Sequence, residues 1–134
     1  MRRLLAAASL AASLAACAPP KNYTPVDQIP QITDLEAVMD VQATTADPQF
    51  RKMDQASYSP AELASLDETA RRIDAASRRT KAFSKGPAFD ALADRLGAHA
   101  VELGRAANAG DVAGVHAALA AMKATCKQCH HEFR

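Results

Sequence analysis

Cys126, Cys129 and His130 stand at positions i, i+3 and i+4 close to the end of a 134-residue chain. On an α-helix this spacing gathers two thiols and an imidazole onto one arc, about a single turn long. Cys-x-x-Cys-His is the spacing with which a c-type haem is fixed, through two thioether bonds to its vinyl groups and one axial bond to its iron. A fold that carries the run must therefore set its last turn against a space large enough for a macrocycle. Two other readings use the same residues, a redox-active thiol pair and half of a zinc site. A thioredoxin-type pair expects a strand-helix-strand context that the flanking pattern lacks, and zinc needs a fourth ligand that the chain does not clearly offer.

The opposite end carries an export pattern. Met1-Arg2-Arg3 is a short basic stretch, and Leu4 to Ala16 is an apolar, small-residue run too short to span a bilayer. Residues 1–16 are expected to be a signal peptide. Leu14-Ala15-Ala16-Cys17 resembles the lipobox of bacterial lipoproteins, which implies that Cys17 becomes the lipid-bearing first residue, while an ordinary signal-peptidase site near Ala16 is the alternative. Ala18 follows Cys17 where an inner-membrane retention signal would have Asp, so the lipoprotein resemblance implies an outer-membrane anchor facing the periplasm. Export agrees with the motif, because bacterial thioether attachment takes place outside the cytoplasm. Without Arg2 and Arg3 the 16 basic residues fall to 14, against 15 acidic ones. Near-neutrality argues against nucleic acid as a partner.

Residues 17–32 contain Pro19, Pro20, Pro25 and Pro30 with no apolar period, and are expected to form an extended tether of up to about 40 Å at ~3.1 Å per residue. Residues 33–134 then read as four amphipathic helices. Thr33 with Glu36 makes a capping box for the first, expected to stop near Ala46 before Asp47-Pro48 and to turn Leu35, Met39, Gln42 and Ala46 inward. Phe50 and Met53 are expected to pin the following connection to the core. Ser59-Pro60-Ala61-Glu62 starts the second helix, expected to reach about Lys85 before Gly86-Pro87. Arg71, Arg72, Arg78, Arg79 and Lys81 read as its solvated face. The third helix runs from Pro87 or Ala88 to about Gly110 with Phe89, Leu96, Ala100 and Leu103 inward. Gly97 and Gly104 share one flank, which calls for something bulky at close range, a porphyrin edge or a tightly packed helix. Asp111 caps the fourth helix, whose stripe of Val112, Val115, Leu119, Met122, Cys126 and Phe133 carries the motif inward. The predicted fold class is all-α, an antiparallel four-helix bundle with covalently attached haem.

Four helices ending in Cys126-Lys127-Gln128-Cys129-His130-His131-Glu132-Phe133-Arg134 resemble the class II c-type cytochromes, the family of cytochrome c′ and its low-spin relatives. The resemblance covers about Thr33 to Arg134, and the C-terminal position of the motif separates this class from the mitochondrial type. It implies one covalent haem c inside the bundle, His130 as the proximal iron ligand, and a distal face against the first helix. Met39 occupies the position matched to the distal residue, whereas the basic residue that many members carry four before it is Leu35 here. Met53 and His99 are alternative sixth ligands on chemistry alone. His116, fourteen residues before His130 on the same helix, lies about 21 Å away and cannot reach the same iron.

A His130/Met39 iron would shuttle electrons, while an open distal face would admit NO or CO. Neither function is enzymatic, and the remaining residues offer no nucleophile or acid-base pair. The implied partners are periplasmic redox proteins and the membrane holding the lipid. Family members also often form homodimers through their first two helices. Lys123, Lys127 and Arg134 near the motif would make the haem rim positive and suit an acidic docking surface.

Overall fold

Helix-start signals set the frame of the computed structural model, which describes residues 23–134. The expected signal peptide, Cys17 and the first part of the tether lie outside the described residues. Ser59 caps α2 (Pro60–Thr80): its side chain accepts from the Glu62 N–H while the Glu62 carboxylate accepts from the Ser59 N–H, and Pro60 occupies the first turn. Asp111 caps α4 (Val112–Phe133) by accepting from the Gly114 N–H. Between them α3 (Pro87–Ala109) starts after Gly86 and stops at Gly110, whose φ of +66° is left-handed backbone that glycine adopts without a Cβ clash.

The first helix, α1 (Leu35–Phe50), departs from expectation at both ends. Asp34, not Thr33, caps it, accepting from the Ala37 N–H at 2.8 Å. An aspartate one residue nearer the helix is an equally good acceptor, and the sequence pattern does not separate the two. The helix also runs on through Pro48. That proline sits in the last turn, so the hydrogen bond its missing N–H removes is lost at the end of the helix and not in its middle. In contrast α2 stops short of Lys85, at Thr80, and a 3-10 turn over Lys81–Phe83 completes the passage to Gly86.

Neighbouring helices run antiparallel. Gly104 lies against Ala70 and Gly97 against Ser77, which orders α3 against α2. Phe89 at the start of α3 meets Phe133 at the end of α4 edge-on, with ring centroids 5.2 Å apart. The seam between α1 and α2 is a polar ladder: Gln42 donates to Thr80 at 3.0 Å, Arg72 to Thr45 at 3.0 Å and Gln49 to Ser65 at 3.2 Å. Each of these side chains has a partner across the seam, while Gln49 Oε1 is buried without one. Among the described residues the fold is all-α, as its periodicity predicts. No described helix is long and apolar enough to cross a membrane.

Leu66, Ile73, Leu103, Val115, Leu119 and Met122 are at most 1% exposed and form the main core, with Met53 and Phe50 packed against it as the connection requires. Fully burying one such aliphatic side chain contributes about 1.5–3 kcal/mol. The glycine flank of α3 meets α2, so its close neighbour is a helix and not a porphyrin edge. Two expectations on the N-terminal side are overturned. Residues 23–32 are no spacer: Val26–Gln31 forms a 3-10 helix packed on α2, with Ile29 fully buried. Nor is the arginine run a solvated face throughout. Arg72 is 4% exposed and half-buried Arg79 donates to the Ile32 carbonyl at 2.6 Å. Both face the returning segment, a long-range contact without a periodic signature.

A candidate haem cavity between the first and last helices

Of the four neighbouring helix pairs around the bundle, α1 and α4 are the most sparsely packed. Between them opens a cavity of about 410 Å³, within the roughly 300–1,000 Å³ typical of cofactor sites. Met39, Gln42, Ala43, Ala46 and Phe50 form its α1 wall, Leu92, Ala93 and Leu96 its α3 floor, and Cys126, Cys129 and His130 its α4 wall. The C-terminal half of α4 thus delivers both thiols and the imidazole to one space, and the start of α1 delivers Met39 to the same space. The side chains expected to face inward on α1 divide accordingly. Gln42 and Ala46 are buried and Leu35 and Met39 are half-buried, while Ala43 beside them is exposed and lines the cavity.

The other candidate ligands lie elsewhere. His116 shares its Nε2 with the Gln55 carbonyl at 2.9 Å and meets Tyr58 edge-on, which fastens the connection after α1. Met53 joins the main core, and His99 is half-buried on α3; neither lines the cavity.

Electrostatics separate the competing readings of the thiols. Cys126 is pushed up to about 11, chiefly by burial and then by the neighbouring Cys129 and Asp47. Burial also raises Cys129, with Glu132 adding to it. The two cysteines are free of each other. A redox-active pair needs a thiolate stabilised near neutral pH, and these thiols are held neutral instead. Among the described residues no group of three or more His, Cys, Asp and Glu side chains is arranged to hold a metal ion.

The donor set does fit a haem. Two unbridged thiols one turn apart, an imidazole beside them and apolar side chains nearby suit the attachment points, one axial position and the faces of a flat macrocycle, and Met39 borders the same space from α1. Lys123, Lys127 and Arg134 line the rim along α4, facing Asp40 and Asp47 across the opening. Proximity to the Cys-x-x-Cys-His run predicts the rim cations; the opposing carboxylates have no such signal because α1 and α4 are remote in the chain.

A family model described as Cytochrome C' matches residues 28–134. No curated protein and no solved structure matches the chain.

Proposed function

The chain belongs to the cytochrome c′ family, and from that premise we propose that it is an exported, lipid-anchored electron carrier with Cys126 and Cys129 as thioether attachment sites, His130 as proximal iron ligand and Met39 as distal ligand. The family carries covalent haem c and serves electron transfer or gas binding. One observation carries the ligand assignment: Met39 of α1 and His130 of α4 border a single cavity together with both cysteines.

Haem supplies a one-electron iron couple whose potential follows its axial ligands and the polarity around them. The chain's own residues do the rest. Cys126 and Cys129 would each add S–H across one vinyl group and so hold the macrocycle on the last two turns of α4. Leu92, Ala93, Leu96 and Phe50 line the same cavity and would keep water from the bound group. The Met39 sulfur would offer a soft, neutral donor that needs no proton transfer on oxidation or reduction. Gln42, three residues after Met39 and bonded to Thr80, puts a polar group on the same wall. The rim cations on α4 suit a redox partner with an acidic face.

The test is the ferric absorption spectrum. The wild-type holoprotein should be low-spin with a methionine-to-iron charge-transfer band, and Met39→Ala should abolish that band. A band that survives the substitution would remove Met39 as ligand. A five-coordinate iron that takes up NO or CO is the second reading. Ala43, one turn after Met39 and exposed to the cavity, favours it by leaving volume on the distal wall. High-spin wild-type protein that binds CO readily would decide for it. A pyridine haemochrome spectrum checks the attachment, which should fail to show c-type haem in a Cys126→Ser, Cys129→Ser double variant. Palmitate labelling of the wild type, lost in Cys17→Ser, checks the anchor, and fractionation checks the periplasmic, outer-membrane placement.

A further inference from the structure

The α1 wall of the cavity receives little support from α4, so something else must hold Met39 in place. On the far side of α1, Ile29 is fully buried in a second apolar cluster with Val38 and Val41 of α1 and Ala75 and Ala76 of α2, and Met39 packs against this cluster. The segment that brings Ile29 there is tied down through α2. Arg72 donates from Nε to the Thr45 hydroxyl on α1 at 3.0 Å and from its terminal nitrogen to the Thr24 carbonyl. Its guanidinium also stacks 4.1 Å from the centre of the Tyr23 ring, and the Tyr23 hydroxyl donates to Glu68 at 2.9 Å. Arg79 holds the other end of the segment at the Ile32 carbonyl.

We propose that residues 23–32 and Arg72 form a lock that fixes α1, and with it Met39, in register on the cofactor cavity. The ligand part rests on the reading that Met39 binds iron. Arg72 is a positioning residue: it touches neither Met39 nor the cavity, but one planar group joins the strap, α2 and α1. Lysine would place a single compact charge where the guanidinium spans separate acceptors, so it can replace only part of the arrangement. Ile29 acts from the opposite side as a wedge between α1 and α2, beside the Val38-Met39 turn. The strap thus supplies from outside the bundle the constraint that a tighter α1–α4 seam would supply from inside.

The experiment uses the full-length holoprotein with Ile29→Ala, Arg72→Met and Arg72→Lys, compared with Leu119→Ala. Leu119 is a fully buried core residue that lines neither the strap nor the cavity. If the lock exists, amide exchange in α1 accelerates about tenfold or more in Ile29→Ala and Arg72→Met relative to Leu119→Ala. CO binding to the ferrous protein should quicken alongside it, the methionine band should weaken, and Arg72→Lys should recover part of each. Ile29→Ala leaves every charge in place and carries the test if Arg72→Met does not fold. Exchange in α1 and CO binding no faster than in Leu119→Ala would overturn the lock even with the methionine band intact. Should Met39→Ala leave the wild-type spectrum unchanged, the ligand reading fails by itself, and α1 exchange still decides whether the strap holds the helix.

Discussion

Gly97 and Gly104 sit on the same flank of α3 against the same helix, yet alanine should have opposite effects at the two positions. Replacing glycine by alanine inside a helix contributes about 1 kcal/mol through backbone entropy. At Gly97 an added Cβ would meet Asp74 Oδ1 and Ser77 Cβ at 3.5 Å, ordinary van der Waals separation, so the full gain of about 1 kcal/mol should appear. At Gly104 it would meet Ala70 Cβ at 3.2 Å. Both atoms are fixed to helix backbones in the most extensive seam of the bundle, and relief requires α2 and α3 to part by a few tenths of an ångström. Overpacking of this kind costs about 1–3 kcal/mol, which cancels or outweighs the helix gain. Thermal unfolding followed by circular dichroism should show Gly97→Ala raising Tm by about 4–8 °C, with Gly104→Ala unchanged or lower. Neither glycine lines the cavity, so haem spectra should match the wild type. A double-mutant cycle with Ala70→Gly should return a coupling of at least about 0.5 kcal/mol for Gly104→Ala and none for Gly97→Ala. A destabilised Gly97→Ala, or equal gains at both sites, would refute the argument from contact distance.

Three further outcomes follow from the same geometry. Ser59→Ala should cost about 1 kcal/mol in urea unfolding near neutral pH. The Glu62 carboxyl is held below its ordinary range by the Ser59 N–H and then by the Ser59 hydroxyl. A lowered carboxyl contributes stability above its unfolded-state value and loses it as pH falls through the folded one, so the acid-side decline should be shallower in the variant. His116→Ala should speed proteolysis of residues 51–58 by removing the Gln55 contact while leaving the haem spectrum intact; a changed spectrum would contradict its placement away from the cavity. Phe133→Ala removes an edge-on pair with Phe89 worth about 0.5–1.5 kcal/mol beyond its buried area, and should accelerate amide exchange in the last turn of α4 without affecting its first.

What could be read in the sequence was local. The Ser59-Pro60-Glu62 start, the Gly110-Asp111 break and the thiol-imidazole spacing are each complete within a few residues, and each lies where the pattern puts it. The all-α class followed from periodicity, and the family from a motif at the end of four such helices. Helix ends shifted by a few residues at Asp34, Pro48 and Thr80, where neighbouring signals compete, and the larger misreadings involve partners distant in the chain. Prolines suggested a free tether, but Ile29 finds a cluster made by α1 and α2. Arginines suggested solvent, but Arg72 meets a backbone carbonyl 48 residues earlier. From the residues alone the cavity is legible only on the α4 side; its α1 wall came from the family resemblance, because that wall depends on how α1 closes across the bundle.

That closure also says something about the order in which the molecule can be assembled. The well-packed seams α1–α2, α2–α3 and α3–α4 all join consecutive helices, so each can form as a local hairpin at low loop-closure cost. The α1–α4 seam joins the ends of the bundle across the whole intervening chain and has the fewest neighbours to reward it. Three hairpins can therefore be in place while the slot beside Cys126 and Cys129 is still unfinished, and the last joint to shut is the one through which a large rigid guest would have to be admitted.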